Sequence, residues 1–266
     1  MKSSYELSLE QTLCEMLSGE ALEAARFITS DEEINHWQEL SNAVSIRRLG
    51  YNDHGPVHMR KVAINAMNMF NILKEEGIQP SLVKEDTGSY EDSRIAVLLA
   101  SFLHDIGMSV GRQNHEMSSF VLAERIIDRV LKAVLPDQFI RQLAIKSVAL
   151  EGIIGHMTHH AISSLEAGII LVADGCDMEK GRSRIPMLIN NESRVGDIHK
   201  YSSSSVEKVT IEKGSEKPIK ISIEMTASVG FFQVEEVLIR KIMASTIKQY
   251  IELYANVIGR DIKRYL

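Results

Sequence analysis

Residues 99–108 read Leu-Ala-Ser-Phe-Leu-His-Asp-Ile-Gly-Met. An apolar helical run ends there in two polar side chains, His104 and Asp105, and burying such groups is costly unless something compensates them. Neighbouring helix residues diverge by about 100°, so both can reach one ion only if it lies off the helix end. Gly107 supplies a plausible end. Taken alone, the dipeptide reads first as an N-terminal cap or a surface pair, and only second as a metal chelate.

The surrounding chain is helical in pattern. Residues 5–49 carry apolar side chains at three- and four-residue spacings, as in SLEQTLCEML and GEALEAARFI, and predict two or three helices. Pro56 stands near the start of the next helix, where its missing N–H costs nothing, and Val62, Ala66, Met69 and Leu73 form one face before Gly77 and Pro80 stop it. Residues 81–92 are polar and aperiodic, which predicts a loop. Helices are expected over about 93–104, 115–132 and from Pro136 to 154. Ser163 and Glu166 have capping-box spacing for the helix that follows.

After GRSRIP (residues 181–186) the character changes. Ile219, Ile221, Ile223 and Met225 alternate with polar residues and, with a shorter strand near 206–212, predict a hairpin. From Phe232 through Val234, Leu238, Ile242, Ile251 and Tyr254 the spacing predicts one long amphipathic helix. The fold class expected is mainly α: a helical domain over 1–200 and a small α+β appendage, hairpin plus long helix, over 201–266.

The chain has 266 residues, 44% apolar and 25% charged, and a formal net charge of −6. That balance disfavours non-specific duplex nucleic-acid binding, which requires cations to displace phosphate counterions. No run approaches the ~20 apolar residues of a membrane span, and the N-terminus lacks a secretory pattern, so no membrane partner and a cytoplasmic location are expected. Cys14 and Cys176 lie far apart, without CxxC spacing, and predict reduced thiols.

A second costly group is Asp174 in AGIILVADGC, a helix apolar on most sides. Something must compensate it: protonation, hydrogen bonds, an Arg or Lys side chain, or a metal. With His58 in HMRKV opening a helix, His104-Asp105 in LHDIG and Asp174 in LVADGCD, the chain from about 50 to 186 resembles the HD superfamily of metal-dependent phosphohydrolases. The layout is similar to that of uncharacterised HD-domain proteins of archaea and bacteria.

The resemblance implies that His58, His104, Asp105 and Asp174 are metal ligands. His115 and His156 resemble the further ligands of members that bind two metals, with His159 and His160 as alternatives to His156. Imidazole and carboxylate suit iron or manganese, with zinc, magnesium or nickel possible, and Asp105 could bridge two ions. Asp177 could orient a ligand histidine. Asp105 and His54 are the catalytic candidates, although a turn explains His54 as well. Lys180, Arg182 and Arg184 are candidate phosphate holders, with a solvated loop or a pair with Glu179 as the other reading. His36 and His199 carry no pattern.

The implied function is hydrolysis of a nucleotide or other small phosphoester through a metal-activated water. The chain lacks a Gly-Tyr-Pro motif, against cyclic-di-GMP as substrate, and lacks a KH module, against processive RNA cleavage. A metal-containing binding or regulatory module without turnover, and a di-iron oxygenase, are the alternatives. The appendage's apolar stripes predict a homodimer.

Overall fold

The computed structural model describes residues 2–182 and 197–266. Helices α1 (Ser4–Glu15), α2 (Gly19–Ser30) and α3 (Glu32–Ala43) precede α4 (Pro56–Glu75). Next come the short α5 (Ser81–Lys84), α6 (Tyr90–Leu103), α7 (His115–Val134), α8 (Phe139–Gly155) and α9 (Leu165–Cys176).

Two helices form the centre. In α6 every residue from Asp92 to Leu103 is buried, and in α9 every residue from Glu166 to Cys176. Helices buried all round must be apolar all round, which explains the near-continuous runs IAVLLASFL and AGIILVA. Around them pack α2, α4 and α8. The N-terminal helices are fastened to α4 by Arg60, fully buried, which donates to Gln38 Oε1 at 3.0 Å and Glu10 Oε1 at 2.6 Å.

The cap of α9 differs from the expected Ser163–Glu166 box. Ser164 is the cap, accepting from Ala167 N at 3.0 Å, while Ser163 donates to Glu151. Glu166 instead accepts from Ser81 N (3.0 Å) and Ser93 Oγ (2.7 Å), which explains why 81–84 form a helical turn where polarity predicted a loop. Glu166 is eight residues before Asp174, about 12 Å along the helix, so this segment sits at the end of α9 away from that carboxylate.

The C-terminal unit contains α10 (Asp197–Ser204), a hairpin of β1 (Val206–Lys213) and β2 (Ile219–Met225), and α11 (Ile239–Ala244), preceded by a wider helical turn at Gln233–Leu238. The hairpin is as expected. The long helix is not: the helical segment ends at Ser245, and Ile251–Val257 is a strand, β3, paired in parallel with β2 from Ile219↔Ile251 to Met225↔Val257. β4 (Lys263–Arg264) completes a four-stranded sheet ordered β1-β2-β3-β4. Ile251, Leu253, Ala255 and Val257 fit a period of two as well as Ile247, Ile251 and Tyr254 fit a helical one, and pairing with a buried strand decides between them. The mainly α class with a small α+β appendage stands. No helix among the described residues is long and apolar enough to cross a membrane.

Candidate metal centre and cavity

Five helix ends meet at one pole of the bundle. His58 lies in the first turn of α4 and His115 opens α7. His104 caps the C-terminus of α6, with Asp105 next in the chain; His156 caps that of α8, and Asp174 is in the last turn of α9. Helix C-termini leave carbonyls without intrahelical partners, and two of these fix histidines. His104 Nδ1 bonds Ser101 O at 2.9 Å and His156 Nδ1 bonds Ile153 O at 2.6 Å. His115 Nδ1 is 3.0 Å from Arg112 O, and His58 Nδ1 is 2.7 Å from Asp177 Oδ2. Each of the four rings thereby commits Nδ1–H outward and turns Nε2 inward.

The inward atoms converge in pairs. His58 Nε2 is 3.2 Å from His104 Nε2, and His115 Nε2 is 3.0 Å from His156 Nε2. Asp105 lies between them: Oδ2 is 3.2 Å from His58 and 3.5 Å from His104, while Oδ1 is 3.1 Å from His115 and 3.3 Å from His156. Asp174 Oδ1 adds a second carboxylate 3.3 Å from His58 Nε2. Two groups, His58/His104/Asp105 and Asp105/His115/His156, could each hold a metal ion.

Two imidazole nitrogens facing each other at such distances need a proton or a cation between them. At His58, burial and Arg182 disfavour charge, yet the carboxylates of Asp105, Asp174 and Asp177 prevail and push the pKa up to about 10. At His156 burial dominates and pushes it down to about 4, so near neutrality this ring offers the bare Nε2 lone pair that a metal cation requires. Burial disfavours the charged form of Asp105 and Asp174 too, but neighbouring imidazoles for Asp105, and Lys241 with His58 for Asp174, hold both well below the usual carboxylate range. The donor set fits divalent metal.

Gly107 permits this convergence. A Cβ at that position would stand 2.1 Å from His115 O and 2.4 Å from Ser119 N, both backbone atoms, so the turn after His104-Asp105 meets the start of α7 only without a side chain.

The cluster floors a cavity of about 590 Å³. Arg182 lies at its edge, donating to Asp177 O (2.9 Å) and Asp53 O (3.0 Å), with Nη2 3.3 Å from His58 Nε2. His54, also lining the cavity, is held through Nδ1 by Asn52 O (2.7 Å) and Ser45 Oγ (2.9 Å), and burial pushes its pKa well below the usual imidazole range. His159 and His160 are exposed, and His159 pairs with Glu116 at 3.2 Å; of the three, His156 is the one brought to the cluster. Lys180 is not brought there: it is half-exposed and bonds Glu207 at 2.6 Å. His36, exposed, bonds Glu32 O. Arg184 and the side chain of His199 lie outside the described residues.

Sequence reasoning missed the group that meets Asp174 at the cavity floor. Lys241, from α11, pairs with Asp174 Oδ2 and donates to His156 O at 2.9 Å. The signal available was its position: Lys241 shares the stripe of Val234, Leu238 and Ser245, all buried, so a lysine there occupies a core site.

A family model for the HD domain matches residues 57–179. An uncharacterized protein of Methanocaldococcus jannaschii is 42% identical over 230 residues, which cover 86% of this chain and 86% of that one. No solved structure matches the chain. With its paired His and Asp held at the pole of the helical bundle, and with the family model matching the segment that carries them, the chain belongs to the HD-domain superfamily of metal-dependent phosphohydrolases.

Proposed function

We propose that the chain hydrolyses a small phosphoester, a nucleotide or a compound of that size, with two divalent metal ions, iron or manganese, held by His58, His104, Asp105, His115, His156 and Asp174. The observation that carries this reading is the placement of Asp105, whose two oxygens each face a different pair of histidines. Bound divalent ions would neutralise phosphoryl oxygens and make a water molecule more acidic.

The chain's own residues supply the rest. Arg182 has its guanidinium fixed by two main-chain carbonyls, so little side-chain freedom is lost when it meets a phosphate. His54 is kept neutral by burial, and its Nδ1 is already committed, which leaves Nε2 to accept a hydrogen bond from the reacting group. The cavity volume falls in the range of small-molecule sites, and the ring of Tyr51 at its wall offers a flat apolar face beside Arg112.

The test is product formation, free phosphate from nucleotides and simple phosphoesters and nucleoside monophosphate from cyclic nucleotides, by chain loaded with iron, manganese, zinc, magnesium or nickel. Turnover with at least one metal, falling at least ~100-fold in Asp105→Ala, is expected. Ligand-induced stabilisation with no product from any pairing would replace this reading with a binding module.

A further inference from the structure

The C-terminal unit is docked onto the helix that carries Asp174. Along α9, Gly168 and Gly175 lie two turns apart on one face. A Cβ on Gly168 would stand 2.1 Å from Thr246 Oγ1, and one on Gly175 3.1 Å from both Leu238 Cδ1 and Lys241 Cδ. Ser245 Oγ donates to Gly168 O at 3.0 Å and Thr246 Oγ1 to Ser164 O at 2.8 Å. This fit brings the aliphatic stem of Lys241 along α9 and its ammonium to the cavity floor.

An ammonium has three N–H donors. Two are spent on Asp174 Oδ2 and His156 O. The side chain keeps 11% of its surface and lines the cavity. Its partner carboxylate turns the other oxygen, Oδ1, to within 3.3 Å of His58 Nε2, so the ammonium is one carboxylate away from the histidine cluster.

We propose that Lys241 is a substrate-binding residue, whose remaining N–H donates to a phosphoryl oxygen of the ligand held over the cluster. The assignment rests on the phosphohydrolase reading for the identity of the ligand. It makes the appendage part of the active site: the helical bundle supplies the cluster, with Arg182 3.9 Å from Asp174 Oδ1, and the appendage supplies a second cation on Asp174 Oδ2. Asp174 then does two things at once, presenting Oδ1 to the cluster and holding the lysine against the cavity with Oδ2.

The experiment is calorimetric titration of inorganic phosphate into manganese-loaded full-length wild type, Lys241→Met and Lys241→Arg, with metal content measured on the same samples. Losing one donor to a charged acceptor should weaken phosphate binding on the order of 10-fold in Lys241→Met at unchanged metal content. Lys241→Arg should recover most of it. Lys146→Met, at the distant pair with Glu124 and Asp128, serves as control and should match wild type. Wild-type phosphate affinity in Lys241→Met, or weakened binding that tracks lost metal, overturns the assignment, the latter reducing Lys241 to a support for Asp174.

On the wild-type chain, phosphate should slow acetylation of Lys241 severalfold, read by peptide mass spectrometry. An unchanged rate likewise overturns the assignment, and this measurement serves if the methionine variant does not fold. Phosphate binding that depends on Lys241 in a chain without turnover would keep this inference and remove the hydrolytic one.

Discussion

His115 Nε2 and His156 Nε2 face each other at 3.0 Å, each ring with its Nδ1 committed to a main-chain carbonyl, Arg112 O and Ile153 O. Two buried lone pairs so placed are unfavourable unless a cation lies between them, and Asp105 Oδ1 stands 3.1 and 3.3 Å from the two nitrogens.

Metal content should therefore divide by group. Asp105 serves both pairs, so Asp105→Ala should lose metal from both, whereas His156→Ala should lose it only from the pair with His115. Elemental analysis of protein prepared without added metal, followed by reloading, reads this directly. Equal metal content in the three proteins would show that the histidines are satisfied internally.

Metal binding should release a proton from His58. The metal-free protein holds this imidazole charged, since its pKa is pushed up to about 10 by Asp105, Asp174 and Asp177 against burial and Arg182. With the folded pKa above the unfolded value of 6.5, the proton stabilises the metal-free fold fully below about pH 6.5, and that contribution is lost as pH rises through about 10. A metal needs the bare Nε2, so near pH 7 it must displace the proton, and affinity should rise with pH up to that range. Calorimetry in buffers of different ionisation enthalpy should find about one proton released per chain from this group. His156, pushed down to about 4, should contribute none.

Asp177→Ala should weaken metal binding by about 10–100-fold without removing a ligand. Asp177 accepts from His58 Nδ1 at 2.7 Å and pairs with Lys61 at 2.9 Å, so it fixes which nitrogen of His58 faces inward. Chelator competition against wild type measures the change. Unaltered affinity would mean that packing alone orients the ring.

Gly107→Ala should disturb the His115 group more than the fold's own signal in the far ultraviolet. The added Cβ meets the His115 carbonyl and Ser119 N at distances that force the turn and α7 apart. Metal content should fall, with overpacking destabilising by about 1–3 kcal/mol. A variant with full metal content would contradict the close approach.

Gly168→Ala should lower thermal stability, because its Cβ meets Thr246 and Ser245 where the appendage docks. An overpacking cost of about 1–3 kcal/mol corresponds to a fall in Tm of roughly 2–12 °C. Scanning calorimetry reads it, and an unchanged single transition would show that this contact yields freely.

What could be read without coordinates was local or periodic. Pro56 and His115 at helix starts, the apolar runs of α6 and α9, the alternation of Ile219 to Met225 and the His104-Asp105 pair before Gly107 are each decided within a few residues, by backbone sterics and by the repeat of one buried face. The HD resemblance named the histidines that meet at the pole and included His156 among three neighbours. Tertiary structure decided what those patterns leave degenerate. Ile251–Val257 fits both periods and becomes a strand because β2 offers it a parallel partner. Glu166 leaves its cap because Ser81, Leu82 and Ser93 arrive 73–85 residues away in sequence with donors to satisfy. Lys241 meets Asp174 across 67 residues. A buried charge requires a partner, so the sequence shows that one must come; only the packing of α11 on the glycines of α9 determines which residue it is.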